Sequence, residues 1–366
     1  MKRIHDVLLV QEQSKGEAFI ERISSKRPLF VCTIGTTETA KIPGISAAGK
    51  YPEFTDYTPS ADVELLLLEE CRCIPSVPMT PQGIPTPALV TMSALRLANM
   101  PVLVANGGCK ISPHVPYLDL GGKPGRDIRT GDAVDDAEEV FWRAKVAGEN
   151  LSKIADCIVI GESIPGGTTT ALSVLLSLGI DARGKVSSSM MENPHELKIR
   201  TAEAALEVTG LKFGALEKDP MRAVLCMGDP MMPAFAGLVV GAAEKVPMLM
   251  AGGTQMCAIL AVIKALKPHV LDNVAVGTTR WIVNDQTADL KGIVAQIARV
   301  PILAADLDFS QSRFEGLRAY EAGAVKEGVG AGGAAIAAMA KSKGTITKEI
   351  LLKEIERNYE RLVSSK

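Results

Sequence analysis

The chain has 366 residues with 40 Lys or Arg against 42 Asp or Glu, a formal charge of −2, and 47 % of it is hydrophobic. That balance excludes a disordered tail and a polycationic nucleic-acid binder, and the length suits one large α/β domain with an appendage, or about two domains. Glycine accounts for 33 residues and aromatics for only 4 %, so the core is aliphatic and the backbone packs closely, the habit of parallel α/β enzymes.

In chain order, the segment from Asp6 to Ser25 carries a weak helical periodicity. Short apolar runs ending in glycine or an acid follow: Pro28 to Gly35, Pro101 to Gly108, Asp156 to Glu162, Arg222 to Asp229, Val246 to Gly253, Asn273 to Gly277 and Pro301 to Asp308. They are too short for ordinary helices and are bounded by turn formers, which predicts buried parallel strands. Helical periodicity fills most of the intervals, as in Asp132 to Ser152 and His195 to Val208. Thr347 to Val363 is a strong amphipathic helix, with Ile350, Leu351, Ile355, Tyr359 and Leu362 on one face. The alternation predicts a doubly wound, Rossmann-like parallel sheet with helices on both faces over residues 28–340. Residues 1–27 and 341–366 are expected to pair as a small helical subdomain. The proline-rich stretch Pro75 to Pro87, which includes Pro81, and the Gly/Pro-rich stretch Gly107 to Gly125 read as long loops of the kind that border ligand sites.

Seven cysteines, an odd number and several within apolar runs, read as reduced thiols in a reducing cytoplasm. Two uncharged stretches, 163–180 and 246–263, reach 18 residues, but glycines and polar residues break each of them, so no membrane span is expected. The four histidines and Cys71-Arg72-Cys73 show no metal-ligand spacing.

Three clusters could carry chemistry. Gly161-Glu162-Ser163-Ile164-Pro165-Gly166-Gly167-Thr168-Thr169-Thr170 joins a strand to a helical run. A glycine turn feeding a helix N-terminus offers free N–H groups and a positive dipole end to a phosphate. The lysine and glycine spacings of the Walker and dinucleotide motifs are missing, and a plain turn capped by threonines is the alternative. Glu162, at the carboxyl end of a buried strand, is costly there unless paired or used. Lys326-Glu327-Gly328-Val329-Gly330-Ala331-Gly332-Gly333 sets a carboxylate, a candidate base, at the head of a glycine-rich turn; a helix-packing segment is the alternative. Gly228-Asp229-Pro230-Met231-Met232, with the later Met248 to Gly252-Gly253, could line a slot for a planar ring or simply be core.

In sequence order these clusters resemble the nicotinate-nucleotide:dimethylbenzimidazole phosphoribosyltransferase family, in its divergent archaeal-type branch, from about Pro28 to Ala340. The family's G-E-M-G-I-G-N-T-T is matched without a gap by Gly161 to Thr169, preserving Gly161, Glu162, Gly166, Thr168 and Thr169. Its E-G-T-G-A matches Glu327-Gly328-Val329-Gly330-Ala331, and its phosphate-contacting lysine falls on Lys198. Its S-x-E-x-G-H is echoed by Ser312-Arg313-Phe314-Glu315-Gly316-Leu317, with Leu317 where the histidine would be. Thr33-Ile34-Gly35 lacks the family's Asp-His pair, Gly252 stands where an aspartate precedes glycine, and Gly44-Ile45-Ser46 and Tyr51-Pro52 remain.

The resemblance implies transfer of ribose 5-phosphate from nicotinate mononucleotide to a benzimidazole or purine base, with inversion at the anomeric carbon. Glu327 would be the base and Glu162 the stabiliser of positive charge on the ribose. Gly166, Gly167, Thr168, Thr169, Lys198, Gly328 and Gly330 would hold phosphate and ribose, while Gly228, Asp229, Met231, Gly252, Gly253 and Glu315 would face the base. No metal or cofactor is implied, and the assembly implied is a homodimer. The rival readings are a non-catalytic nucleotide- or base-binding protein on the same fold, and a nicotinamide-dependent oxidoreductase, against which the missing G-x-G-x-x-G weighs.

Overall fold

The computed structural model describes residues 2–48, 51–80 and 82–364; Pro81 of the proline-rich stretch and the last two residues of the 341–366 segment lie outside them. Nine strands form one sheet: β1 (Lys2–Ile4), β2 (Val7–Gln11), β3 (Pro28–Gly35), β4 (Val102–Gly108), β5 (Leu118–Asp119), β6 (Cys157–Ser163), β7 (Met248–Ala251), β8 (Val274–Thr279) and β9 (Ile302–Ala305). Their order is β1-β2-β9-β8-β7-β6-β3-β4-β5. From β9 through β5 the neighbours are parallel, whereas β2 runs antiparallel to β9 and β1 to β2. The doubly wound parallel sheet expected from the sequence is therefore the architecture.

Because successive side chains of a strand point to opposite faces, β3 sends Val31 into one core and Phe30, Cys32 and Ile34 into the other. In β6, Ile158 and Ile160 share the core of Val31, and Cys157 and Val159 the core of Phe30. Both faces are covered, which is why these strands read as unbroken apolar runs. Helices Ala137–Leu151, Gly167–Ser177, Met231–Ala242 and Gln255–Leu266 pack on one face. Helices Gln13–Ile23, Thr58–Leu68, Ala88–Leu97, Ala331–Lys341 and Lys348–Ser364 pack on the other.

Two sequence expectations are corrected. Arg222 to Asp229 is not a strand: helix Pro220–Met227 occupies it, with Pro at its first turn and the Asp219 side chain accepting from the Arg222 amide at 3.3 Å. A proline suits a helix start because its missing N–H is one the first turn leaves unpaired anyway. The N-terminal segment is not helical throughout either. Val7 and Leu9 are fully buried where β2 seals the β9 edge, and the helix begins only at Gln13. Helix Gln13–Ile23 packs on β2 and on Ala331–Lys341, while Lys348–Ser364 packs on Ala88–Leu97, so each terminal helix has its own neighbour on the main body.

The tightest helix contact joins Ala137–Leu151 to Met231–Ala242. A Cβ at Gly241 would lie 2.1 Å from the Lys145 carbonyl oxygen, one at Gly237 2.3 Å from that of Phe141, and one at Gly148 2.3 Å from that of Leu238. Backbone blocks each of these positions, so relief requires the helices to part. Gly241→Ala is expected to lower unfolding stability by about 1–3 kcal/mol, as overpacking does, read as a reduced midpoint in urea denaturation.

Among the described residues no helix is long and apolar enough to cross a membrane, and the seven cysteines are free thiols. The uncharged stretches 163–180 and 246–263 resolve into strand, turn and buried helix.

Candidate active site

The chain leaves β3 toward β4 on one side and β6 toward β7 on the other, so the strand order reverses between β3 and β6 while the strands stay parallel. Such a switch point opens a crevice outside the carboxyl ends of the strands. Here it is an open cleft of about 990 Å³, walled by residues 45–48, 78–80, 84–87, 162–168, 187–189 and 325, 327–329, with Thr58, Asp62, Gly253, Gln255 and Ile282 between them.

At one end the turn from Gly161 to Thr170 takes the form its glycines allow. Gly166 sits at φ +78°, where a side chain is strained, and a Cβ there would lie 3.0 Å from the Ala40 backbone. Helix Gly167–Ser177 starts directly after it, presenting its N-terminus to the cleft beside Ser187, Ser188 and Ser189. Among the described residues no Lys or Arg lines the cleft. A phosphate at this end would be held by the helix terminus and hydroxyls.

Glu162 and Glu327 enter the cleft from adjacent glycine turns. Gly161 and Gly330 interlock: a Cβ on Gly161 would lie 2.9 Å from Gly330 Cα. The Val329 amide donates to the Glu162 carbonyl at 3.0 Å, and the Thr91 hydroxyl donates to the Val329 carbonyl at 2.9 Å. The backbone on both sides of Glu327 is strained, with Val325 and Lys326 at φ 63° and 60° before it and Val329 at 53° after it, conformations that cost energy for branched and long side chains and persist only where the surroundings over-determine them. They are over-determined here. The Val325 amide donates to the Ser189 carbonyl at 2.8 Å, Thr279 Oγ1 donates to the Lys326 carbonyl at 2.6 Å, and Lys326 Nζ meets Asp285 Oδ2 at 2.8 Å.

Burial lifts Glu327 to about 7, against the amides of Gly328, Gly332 and Ala331 and the Thr278 hydroxyl, which pull it down. The Gly328 and Gly332 amides donate to Glu327 Oε1 at 3.1 and 3.2 Å. Burial, then the charges of Asp229 and Glu327, push Glu162 well above the usual carboxylate range, and Gln255 Nε2 donates to it at 3.4 Å. One carboxyl is thus poised to take a proton near neutrality and its neighbour favours the protonated form.

The structure gathers Glu162, Gly166, Gly167, Thr168, Gly253, Glu327 and Gly328 around the cleft, and seats Thr169 and Gly330 just behind its wall. Lys198 is elsewhere. Fully buried, its Nζ donates to the Ser187 carbonyl at 2.6 Å and to Asn193 Oδ1 at 3.2 Å, bracing the serine segment from behind. Burial, with the nearby Lys326 charge, lowers it to about 7. Asp229 caps helix Met231–Ala242, accepting from the Met231 and Met232 amides and from Thr170 Oγ1 at 2.6 Å; Met231 is wholly in the core, and Gly228, Asp229, Met231 and Gly252 do not line the cleft. Glu315 is exposed on a short helix outside it.

Three groups were not singled out from the sequence: Asp62, Ser163 and the Ser187 to Ser189 run. Asp62 stands between the apolar Ala61 and Val63, two residues from a second acid, Glu64, at the head of the run Leu65 to Leu68; an acid flanked so closely by apolar residues is the signal that would have found it. The proline-rich stretch does border the cleft, and the buried Tyr320 hydroxyl anchors it by donating to the Pro85 carbonyl at 2.8 Å.

A family model described as DBI_PRT, Phosphoribosyltransferase, matches residues 96–308. The UPF0284 protein of Methanothermobacter thermautotrophicus is 44 % identical over 325 residues, covering 88 % of this chain and 90 % of that protein. That of Sulfolobus acidocaldarius is 44 % identical over 351 residues, covering 94 % and 99 %. Of solved structures, a nicotinate-nucleotide-dimethylbenzimidazole phosphoribosyltransferase from Thermus thermophilus superposes with a TM-score of 0.57 at 14 % identity, covering 98 % of this chain and 95 % of that one. A CobT structure from the same organism gives 0.58 at 15 %, covering 97 % and 95 %. At such identities these two matches establish a shared fold.

Proposed function

Because the chain belongs to this phosphoribosyltransferase family, in the branch of the archaeal UPF0284 proteins, we propose that it moves the ribose 5-phosphate of nicotinate mononucleotide onto 5,6-dimethylbenzimidazole or a related base, giving an α-ribotide for the lower ligand of cobalamin-type cofactors. Family membership sets aside the oxidoreductase. The observation that carries the proposal is the meeting of Glu327 and Glu162 in one cleft at a helix N-terminus.

The chemistry needs few groups. The pyridinium of the donor leaves with the electron pair of its C–N bond, as nicotinate, and needs no proton. The unprotonated ring nitrogen of the acceptor forms the new bond to the anomeric carbon while the proton on its other ring nitrogen passes to Glu327. Positive charge builds on the ribose in between. The cationic pyridinium donor favours loss of the Glu162 proton to solvent on binding, so that the carboxylate faces the charge that builds on the ribose and stabilises the transition state. Backbone amides at Gly167 and Thr168, with the nearby serines, take the phosphate. The reading extends to a cytoplasmic homodimer acting on small molecules, with no metal or cofactor required.

Incubating the protein with nicotinate mononucleotide and dimethylbenzimidazole, then with adenine and other bases, should yield α-ribotide and free nicotinate by mass spectrometry. The withdrawal of Lys198 from the cleft favours one second reading, a nucleotide- or base-binding protein without turnover. Nucleotide binding without nicotinate release for any base would establish that instead.

The reaction should also report the Glu327 ionisation. Its carboxyl is raised to about 7, so it carries the proton below that pH and cannot accept another. The rate is expected to rise with pH, half-maximal near 7, and to level off above about 8. A flat profile from about pH 5.5 to 8.5 would remove Glu327 as the base.

A further inference from the structure

We propose that Ser163, held by Asp62, makes one wall of the acceptor subsite a hydrogen-bond acceptor, and so selects a heteroaromatic base bearing an exocyclic N–H or O–H donor, such as a hydroxybenzimidazole or an aminopurine, over one whose only ring substituents are methyl groups. The inference rests on the transferase reading above and names its acceptor class.

Asp62, on helix Thr58–Leu68, is buried at the cleft wall. Ser163 Oγ donates to Asp62 Oδ2 and Thr86 Oγ1 to Asp62 Oδ1, both at 2.7 Å. A hydroxyl has one hydrogen and two lone pairs, so the carboxylate takes the only hydrogen of each. Thr86 Oγ1 also accepts from the Ala88 amide at 3.2 Å, which uses one of its lone pairs. Ser163 Oγ, by contrast, receives no donor among the described residues. It lines the cleft at 4 % exposure with both lone pairs open and nothing left to donate. Burial raises Asp62 to about 6 against the two hydroxyls, so at a pH of about 8 it is anionic and holds both hydrogens.

The wall lies on the acceptor side of the carboxylates. A Cβ on Gly328, beside Glu327, would lie 3.2 Å from Pro87, so the Thr86-Pro87 strip abuts the base that must deprotonate the acceptor. Ser163 directly follows Glu162, and Asp62 ties serine and strip together. Ser163 also occupies the methionine position of the family's G-E-M-G-I-G-N-T-T motif, a polar group in place of an apolar one. A methyl facing Ser163 leaves a buried acceptor unpaired, whereas an N–H or O–H satisfies it.

The test measures calorimetric affinities of the full-length protein, loaded with nicotinate mononucleotide at about pH 8, for 5-hydroxybenzimidazole and for 5,6-dimethylbenzimidazole, and assays the same samples for α-ribotide. The hydroxylated base should bind at least about tenfold more tightly. Ser163→Ala should erase the ratio. Asp62→Asn, which replaces one of the two accepting oxygens with a donor, should reduce it. Equal affinities in the wild type, or a ratio unchanged in both variants, would overturn the proposal. So would a Ser163→Ala variant that loses nicotinate mononucleotide affinity alone, since that would assign the serine to the ribose. Absence of α-ribotide from every sample, with the binding ratio intact, would overturn the transferase reading and leave the donor preference standing; no binding of either base would overturn both.

Discussion

Replacing Glu327 by glutamine is expected to slow base transfer by about 10²–10⁴-fold, the range of one positioned general base, while nicotinate mononucleotide affinity changes little. Glutamine keeps the shape of the side chain and an acceptor oxygen for the Gly328 and Gly332 amides, so the turn survives. What it loses is the capacity to take a proton at neutral pH. Rates in single-turnover assays, set beside calorimetric titration with the nucleotide, separate the two effects. An unimpaired rate would remove Glu327 from the mechanism, and parallel loss of binding would make it a structural residue.

Lys326→Met is expected to lower the stability of the whole chain by about 3–5 kcal/mol, the scale for removing one partner of a buried ion pair. The side chains of Lys326 and Asp285 are 4 % and 5 % exposed and 2.8 Å apart. Burial alone would raise Asp285; Lys326, with the Thr287 hydroxyl and amide, holds it below the usual range instead. Methionine fills the space of the lysine stem and strands the carboxylate. The midpoint of urea unfolding should fall accordingly, and the double variant Lys326→Met with Asp285→Asn should recover most of the loss, because no charge is then left unpaired. A loss under about 1 kcal/mol would mean that water reaches the pair and that the strained turn does not depend on it.

How far the residues announce this arrangement depends on how local their causes are. Six of the seven strands anticipated around glycines are present, because a parallel strand covered on both faces must be apolar throughout and must end in a turn. Arg222 to Asp229 failed that test of length: a two-turn helix buried in the same core presents an equally short apolar run. Val7-Leu8-Leu9-Val10 is too short to distinguish a period of two from one of 3.6, and only the exposed edge of β9, almost 300 residues later, decides it. The two glutamates were legible because each sits inside its own glycine turn. Lys198 shows the limit. Its place in the order of motifs was readable, but the direction of its side chain is fixed by Ser187 and Asn193, which fold around it from outside the helix. Asp62 was missed for the same reason, since its meaning comes from Ser163, 101 residues away.

The antiparallel seam between β2 and β9 has a bearing on how the molecule comes into being. Seven parallel strands end at β9 with a row of free amides and carbonyls, a template for pairing with any passing chain. β2, far earlier in the chain, covers it, and can do so only after the ribosome has delivered Ile302–Ala305. The Asp306 amide donates to the Asp6 carbonyl at 2.9 Å, and the Lys348 amide to Asp6 Oδ2 at 3.0 Å, so the same short segment also fastens helix Lys348–Ser364. Closing so long a loop is slow in folding terms. During synthesis β2 must wait with one edge unpaired, its other edge taken by β1, and a chain lacking it would emerge with an open, self-associating margin even though its candidate active-site cleft is complete.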